Sequence, residues 1–238
     1  MRTLTPQEAE AMLLDGAWGN TPMTIKNAKD KIMHCINIGH TMRRMALQIN
    51  KNGGYNGQLL DLDKAQIMGI LHDYGCHENR GDMHPYTGYE RLISIGVSED
   101  IARACILHGY INGDFNCSAE GENINSDGSL NPNTALKWKN SEASFVMNYL
   151  KAATYSIYDK LMNLADLMVA KKNIGLECRL NDLIERKGKH STSDYHKEQA
   201  FALLHEVEKA MGCKMEEVFP EIKENQREFE VERITKGS

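Results

Sequence analysis

The run Ala65-Gln-Ile-Met-Gly-Ile-Leu-His-Asp-Tyr-Gly75 constrains this chain more than any other stretch. It is apolar for most of its length and ends on an imidazole beside a carboxylate, His72-Asp73. Burying such a pair is costly unless something binds it. A metal ion is the simplest binder, because a neutral His nitrogen and an Asp oxygen are both good ligands for Fe, Mn or Zn. Neighbours on a helix stand roughly 100° apart, so the two side chains can straddle one ion. A fold organised around this run must bring further ligands to it from distant parts of the chain.

The rest of the sequence is helical in pattern. Residues 6–15 read as a short amphipathic helix, with Thr5 as N-cap and Pro6 at the first helical position. From 25 to 50 the spacing of Ile32, Ile36, Met42, Met45, Ala46 and Ile49 predicts one long helix, closed by the breakers of Lys51-Asn-Gly-Gly-Tyr-Asn-Gly57. Further helices are expected over 61–74, 84–95 with Pro85 in the first turn, and 98–108 behind Ser98 as N-cap. Others follow over 142–150, 157–171, 176–187 and 193–211. No βαβ alternation, internal repeat or glycine-rich phosphate loop occurs. The expected fold is all-α: a main domain over 25–220, a leading helix and loop over 1–24, and an exposed charged tail over 221–238. Residues 112–139 are polar and rich in turn formers, a long insertion that reads equally as a lid or as a plain flexible loop.

Composition narrows the function. A chain of 238 residues supports one large helical domain with a proper core, or two small ones. A net charge of -5 gives no general attraction to nucleic acid or acidic membranes. No run reaches the ~18 apolar residues of a membrane span, and the acidic N-terminus lacks the apolar stretch of a signal peptide. The six cysteines are scattered without a Cys-x-x-Cys, as for reduced thiols in a cytoplasmic protein. Cys35 and Cys105 sit in apolar patterns and read as small buried hydrophobes.

Candidate partners for His72-Asp73 are His40, on the long predicted helix, and Asp166, a carboxylate inside the apolar run Leu161-Met-Asn-Leu-Ala-Asp-Leu-Met168. His34, six residues before His40, points to another helix face and reads as packing. His190, His196 and His205 read as surface residues. Arg179, Asp182 and Arg186, spaced i, i+3, i+7, read as a salt-bridged stripe. Arg43, Arg44, Lys160 and His77 are the candidate contacts for an anionic substrate.

The order His40, His72-Asp73, Asp166 on an all-helical core resembles the HD superfamily of metal-dependent phosphohydrolases. The segment Tyr158-Asp-Lys-Leu-Met-Asn-Leu-Ala-Asp166, with Gly175-Leu-Glu-Cys-Arg179 and Ile184-Glu-Arg-Lys-Gly188, is similar to small bacterial HD-domain proteins. The resemblance covers roughly residues 25–220. It implies one or two divalent metal ions per chain, of Fe, Mn or a similar element. His40, His72 and Asp166 would then hold one ion, His84 and His108 a second, and Asp73 would bridge and act catalytically. The implied activity is hydrolysis of a phosphate ester or anhydride, of a nucleotide or related small molecule, by metal-activated water. Within the same superfamily, a di-iron oxygenase has the same six-ligand order, and a non-catalytic regulatory binder is a third reading. One departure stands out. Many HD phosphohydrolases carry a Lys three residues after the motif Asp, and here that position is Cys76.

Overall fold

The computed structural model describes residues 4–15, 25–77, 84–117 and 140–236. The fold is all-α. Its helices are α1 (Pro6–Asp15), α2 (Ile25–Lys51), α3 (Leu62–Leu71), α4 (His84–Ser94), α5 (Glu99–Ala102) and α6 (Ala104–Leu107). They continue with α7 (Asn140–Ala152), α8 (Ile157–Asp166), α9 (Leu176–Lys187), α10 (Ser193–Met211), α11 (Met215–Val218) and α12 (Ile222–Lys236). None of the described helices is long and apolar enough to cross a membrane.

Local signals in the sequence set the helix starts. Thr5 and Glu8 close a reciprocal cap on α1, Glu8 N–H to Thr5 Oγ1 at 3.2 Å and Thr5 N–H to the Glu8 carboxylate at 2.8 Å. Asp61 accepts from the amides of Asp63 and Lys64 and starts α3. Ser156 and Asp159 form a capping box on α8, which fixes where Asp166 falls at the far end of that helix. Gly212, at φ 71°, ends α10 in the left-handed conformation.

Helices α2, α3, α8 and α10 surround the main core. Cys35, Ile38, Met42, Met45, Ala46 and Ile49 are fully buried along one stripe of α2. Each large side chain so buried contributes about 1.5–3 kcal/mol. Helices α2 and α3 cross at two glycines: a Cβ on Gly69 would lie 2.6 Å from the Gly39 Cα. That approach brings the first half of α2 close to the end of α3. The leading helix belongs to the same core, since Ala9 and Leu13 are fully buried in it. A second cluster of Ile106, Leu107, Tyr110, Val146 and Leu150 seats α7 on α6.

Three expectations need correction. The helix expected over 157–171 stops at Asp166, and the chain turns through 167–175 with a bridge between Val169 and Asn173. The carbonyls of Ala170 and Lys171 are thereby freed to accept from His34 and Asn37 of α2. The helix expected over 98–108 breaks at Arg103 into α5 and α6. The helix expected over 61–74 ends at Leu71 and gives way to a 3-10 turn. The charged tail, largely exposed as expected, is helix α12 and is joined to the 171–174 turn. Asn225 donates to the Asn173 carbonyl at 2.9 Å, Gln226 to the Ile174 carbonyl at 2.8 Å, and Lys171 pairs with Glu232. In the insertion expected over 112–139, residues 118–139 lie outside the described residues.

Candidate metal centre

Helix α3 ends at Leu71, His72 caps it, and a short 3-10 turn, Tyr74–His77, follows. Asp73 therefore leaves the helix axis and stands at the meeting point of α2, α4, α6 and α8. Its Oδ2 lies 3.0 Å from His72 Nε2 and 3.7 Å from His34 Nε2. Asp166 Oδ1 closes that side, 3.2 Å from His34 Nε2 and 3.9 Å from His72 Nε2. Asp73 Oδ1 faces the other way, 3.1 Å from His84 Nε2 and 3.6 Å from His108 Nε2. Those two nitrogens are 3.3 Å apart. One carboxylate thus separates two groups of nitrogen donors.

The rings are held so that Nε2 faces inward. His34 donates Nδ1–H to the Ala170 carbonyl at 2.7 Å, His72 to Gly69 at 2.8 Å, and His108 to Cys105 at 2.8 Å. A backbone acceptor on Nδ1 selects the tautomer whose Nε2 carries the lone pair, the arrangement found around metal-ligating histidines. His72 Nε2 is fully buried and, though near Asp73, has no aligned hydrogen-bond partner. A buried nitrogen left without a partner fits a ligand to a cation. The buried trio His34, His72 and Asp73 can hold a metal ion, since their donor atoms all lie within 4.8 Å of one another.

The electrostatics favour a cation. Burial pushes the His34 and His108 imidazoles below their usual pKa, His108 to about 4, which keeps them neutral and able to coordinate. The neighbouring Lys31 ammonium lowers His34 further. For His72, burial is outweighed by the Asp73 carboxylate, and its pKa rises. Burial would raise Asp73, but Lys31 and His72 hold it well below the usual carboxylate range. His34 and His72 do the same for Asp166. Lys31, one turn before His34, pairs directly with Asp73 Oδ2.

Of the ligands expected from the sequence, the structure brings together His72, Asp73, His84, His108 and Asp166. It does not bring His40. That side chain is 54% exposed, and its nearest acidic partner is Glu10 at 4.0 Å. His34, read as packing, occupies the place expected for His40. Six residues turn a helix through roughly 600°, so the two histidines face about 120° apart. The fully buried stripe runs through Ile38 and Met42, and His34 is four residues before Ile38. His40 falls away from that stripe, toward solvent.

The expected anion contacts lie elsewhere. Arg43 pairs with Asp63, and Arg44 pairs with Glu221 and stacks on Phe219 at 4.2 Å. Lys160 pairs with Glu206. The His77 side chain lies outside the described residues. The Arg179–Asp182–Arg186 stripe is salt-bridged as expected, yet it also lines an open cleft whose floor is Lys31, His34, Cys76 and His84. His196 is buried, not a surface residue. Lys31 was missed because nothing in its sequence context separates it from the solvent-facing lysines of the same helix.

Comparison of the chain with protein-family models, curated proteins and solved structures found no match.

Proposed function

We propose that this chain is a metal-dependent phosphohydrolase holding two divalent ions, acting on a phosphate ester or anhydride of a nucleotide or related small molecule. The observation that carries this reading is Asp73, with Oδ2 toward His34, His72 and Asp166 and Oδ1 toward His84 and His108. With His34 in first place, the order His34, His72-Asp73, Asp166 keeps the resemblance to the HD superfamily. In this reading His34, His72 and Asp166 would hold one ion and His84 and His108 the other, with Asp73 serving both. The chemistry such ions would supply is a lowered pKa for water and neutralisation of charge developing on a phosphoryl group.

The chain's own groups do the rest. Backbone acceptors on three Nδ1 atoms hold the imidazoles in place, so little reorganisation is needed when ligands bind. Asn163 donates to the carbonyls of Leu107 and His108, both at 2.8 Å, and ties α8 to the end of α6. It thus fixes His108 relative to Asp166. Along the cleft Lys31, Lys171, Arg179 and Arg186 outnumber Asp30 and Asp182, a positive balance that suits phosphate oxygens. Lys31 takes over the task that Cys76 leaves undone.

The test is phosphate release from a panel of nucleotides and phosphate esters by protein loaded with Mn, Fe or Zn. Activity that disappears in Asp73→Asn supports the reading. Oxygen consumption with iron and no phosphate release would replace hydrolysis by oxygenation. Bound metal with no turnover of any kind would leave a regulatory binder.

A further inference from the structure

We infer that Cys76 is a ligand of the ion on the Oδ1 side of Asp73, and that its sulfur makes that position selective for a softer ion. This rests on the two-ion reading above. Asp73, Cys76 and His84 each present a donor atom, all within 4.8 Å of one another. Cys76 is buried, and its thiol donates to Asp73 Oδ1 at 3.4 Å, the same oxygen that faces His84 and His108. Two features of the backbone hold it there. The Cys76 amide donates to the Asp73 carbonyl at 2.9 Å, which curls the turn back on the carboxylate. Gly75 then packs so closely on α4 that a Cβ would run into the His84 carbonyl and the Gly88 backbone.

The two sides of Asp73 therefore differ in chemistry. The Oδ2 side offers two imidazoles and a second carboxylate, all nitrogen and oxygen. The Oδ1 side offers two imidazoles and a sulfur. Thiolate selects Zn or Fe over Mg or Mn, which prefer oxygen. In the metal-free protein, burial and the charge of Asp73 keep the thiol protonated. When the ion binds, the S–H bond breaks, its electron pair goes to the metal, and the proton leaves to solvent through the cleft that Cys76 lines. Cys105, also near the site, is engaged elsewhere, donating to the Leu71 carbonyl at 3.2 Å. Cys76 is thus a candidate ligand, where the sequence alone shows only a missing lysine.

Cobalt(II) tests this without any assay of activity. Its visible bands report occupancy, and a near-ultraviolet charge-transfer band reports a cobalt–thiolate bond. The full-length protein should show both. Cys76→Ser should lose the charge-transfer band while keeping visible bands from the Oδ2 side, and Cys105→Ala should keep both. The preference for Zn over Mn on the Oδ1 side should fall at least tenfold in Cys76→Ser. Visible bands without charge transfer in the wild type, or charge transfer that survives Cys76→Ser, would overturn the assignment of Cys76 and leave the metal centre standing. Failure of the wild type to bind cobalt would overturn the metal centre itself and this inference with it.

Discussion

Lys31→Met gives a quantitative test of how the centre balances its charge. In the metal-free protein Lys31 is the one Lys or Arg side chain paired with Asp73 among the described residues. Removing one partner of a fully buried ion pair costs about 3–5 kcal/mol, because the other charge is left uncompensated. Lys31 is 29% exposed and Asp73 only 4%. Water therefore replaces part of the lost interaction, and about 2 kcal/mol is the appropriate figure. For a chain of this size that lowers Tm by roughly 4–8 °C. A bound metal supplies the missing positive charge, so the penalty should be confined to the metal-free state. Thermal melts with and without saturating Zn or Mn measure this directly. The variant should melt lower only without metal, and its apparent metal affinity should rise by about 30-fold, the same free energy expressed as binding. An equal loss of Tm in both states would refute the reasoning, showing that Lys31 and the ion do not compete for Asp73.

Two other variants probe the surroundings. Asn163→Ala removes the donor to the Leu107 and His108 carbonyls at a fully buried position. It should cost about 1–3 kcal/mol in chemical denaturation and weaken the ion beside His84 and His108 by roughly tenfold, leaving the other ion little changed. His196, away from the centre, is held neutral by burial, with help from His190 and Lys187, its pKa falling from 6.5 to about 4. A histidine depressed in this way contributes stability that is complete above pH 6.5 and is lost as pH falls toward 4. The contribution is at most about 3 kcal/mol. In His196→Gln, stability measured between pH 7 and 4 should fall less steeply than in the wild type by about that amount.

The fold was legible where short-range rules decide it. The start of α1 at Thr5 and Pro6 follows from capping residues, and α9 and α10 span the expected 176–187 and 193–211, which follow from periodicity. The centre was legible wherever a ligand stands out from an apolar neighbourhood, as His72-Asp73 and Asp166 do. His34 was misread for a physical reason. It stands six residues from His40, so the two histidines cannot share a face of α2, and the fully buried Cys35, Ile38 and Met42 mark the side on which His34 lies. Lys31 and the early end of α8 were beyond reach for another reason. Lys31 depends on α2 meeting the end of α3 at Asp73. The early end of α8 goes with α2 meeting the 167–175 turn, a contact between segments some 136 residues apart, as the bond from His34 to Ala170 shows. The stripe of α9 was read correctly as salt-bridged, but its place beside the cleft is a property of the assembled fold.

The central claim is that Asp73 is the hub of a centre to which His34, and not His40, contributes. Elemental analysis of protein purified without chelator tests it most directly. The wild type and His40→Ala should carry about two ions per chain, His34→Ala about one, and Asp73→Ala close to none. Metal retained in full by Asp73→Ala, or lost from His40→Ala while His34→Ala keeps it, would contradict the account.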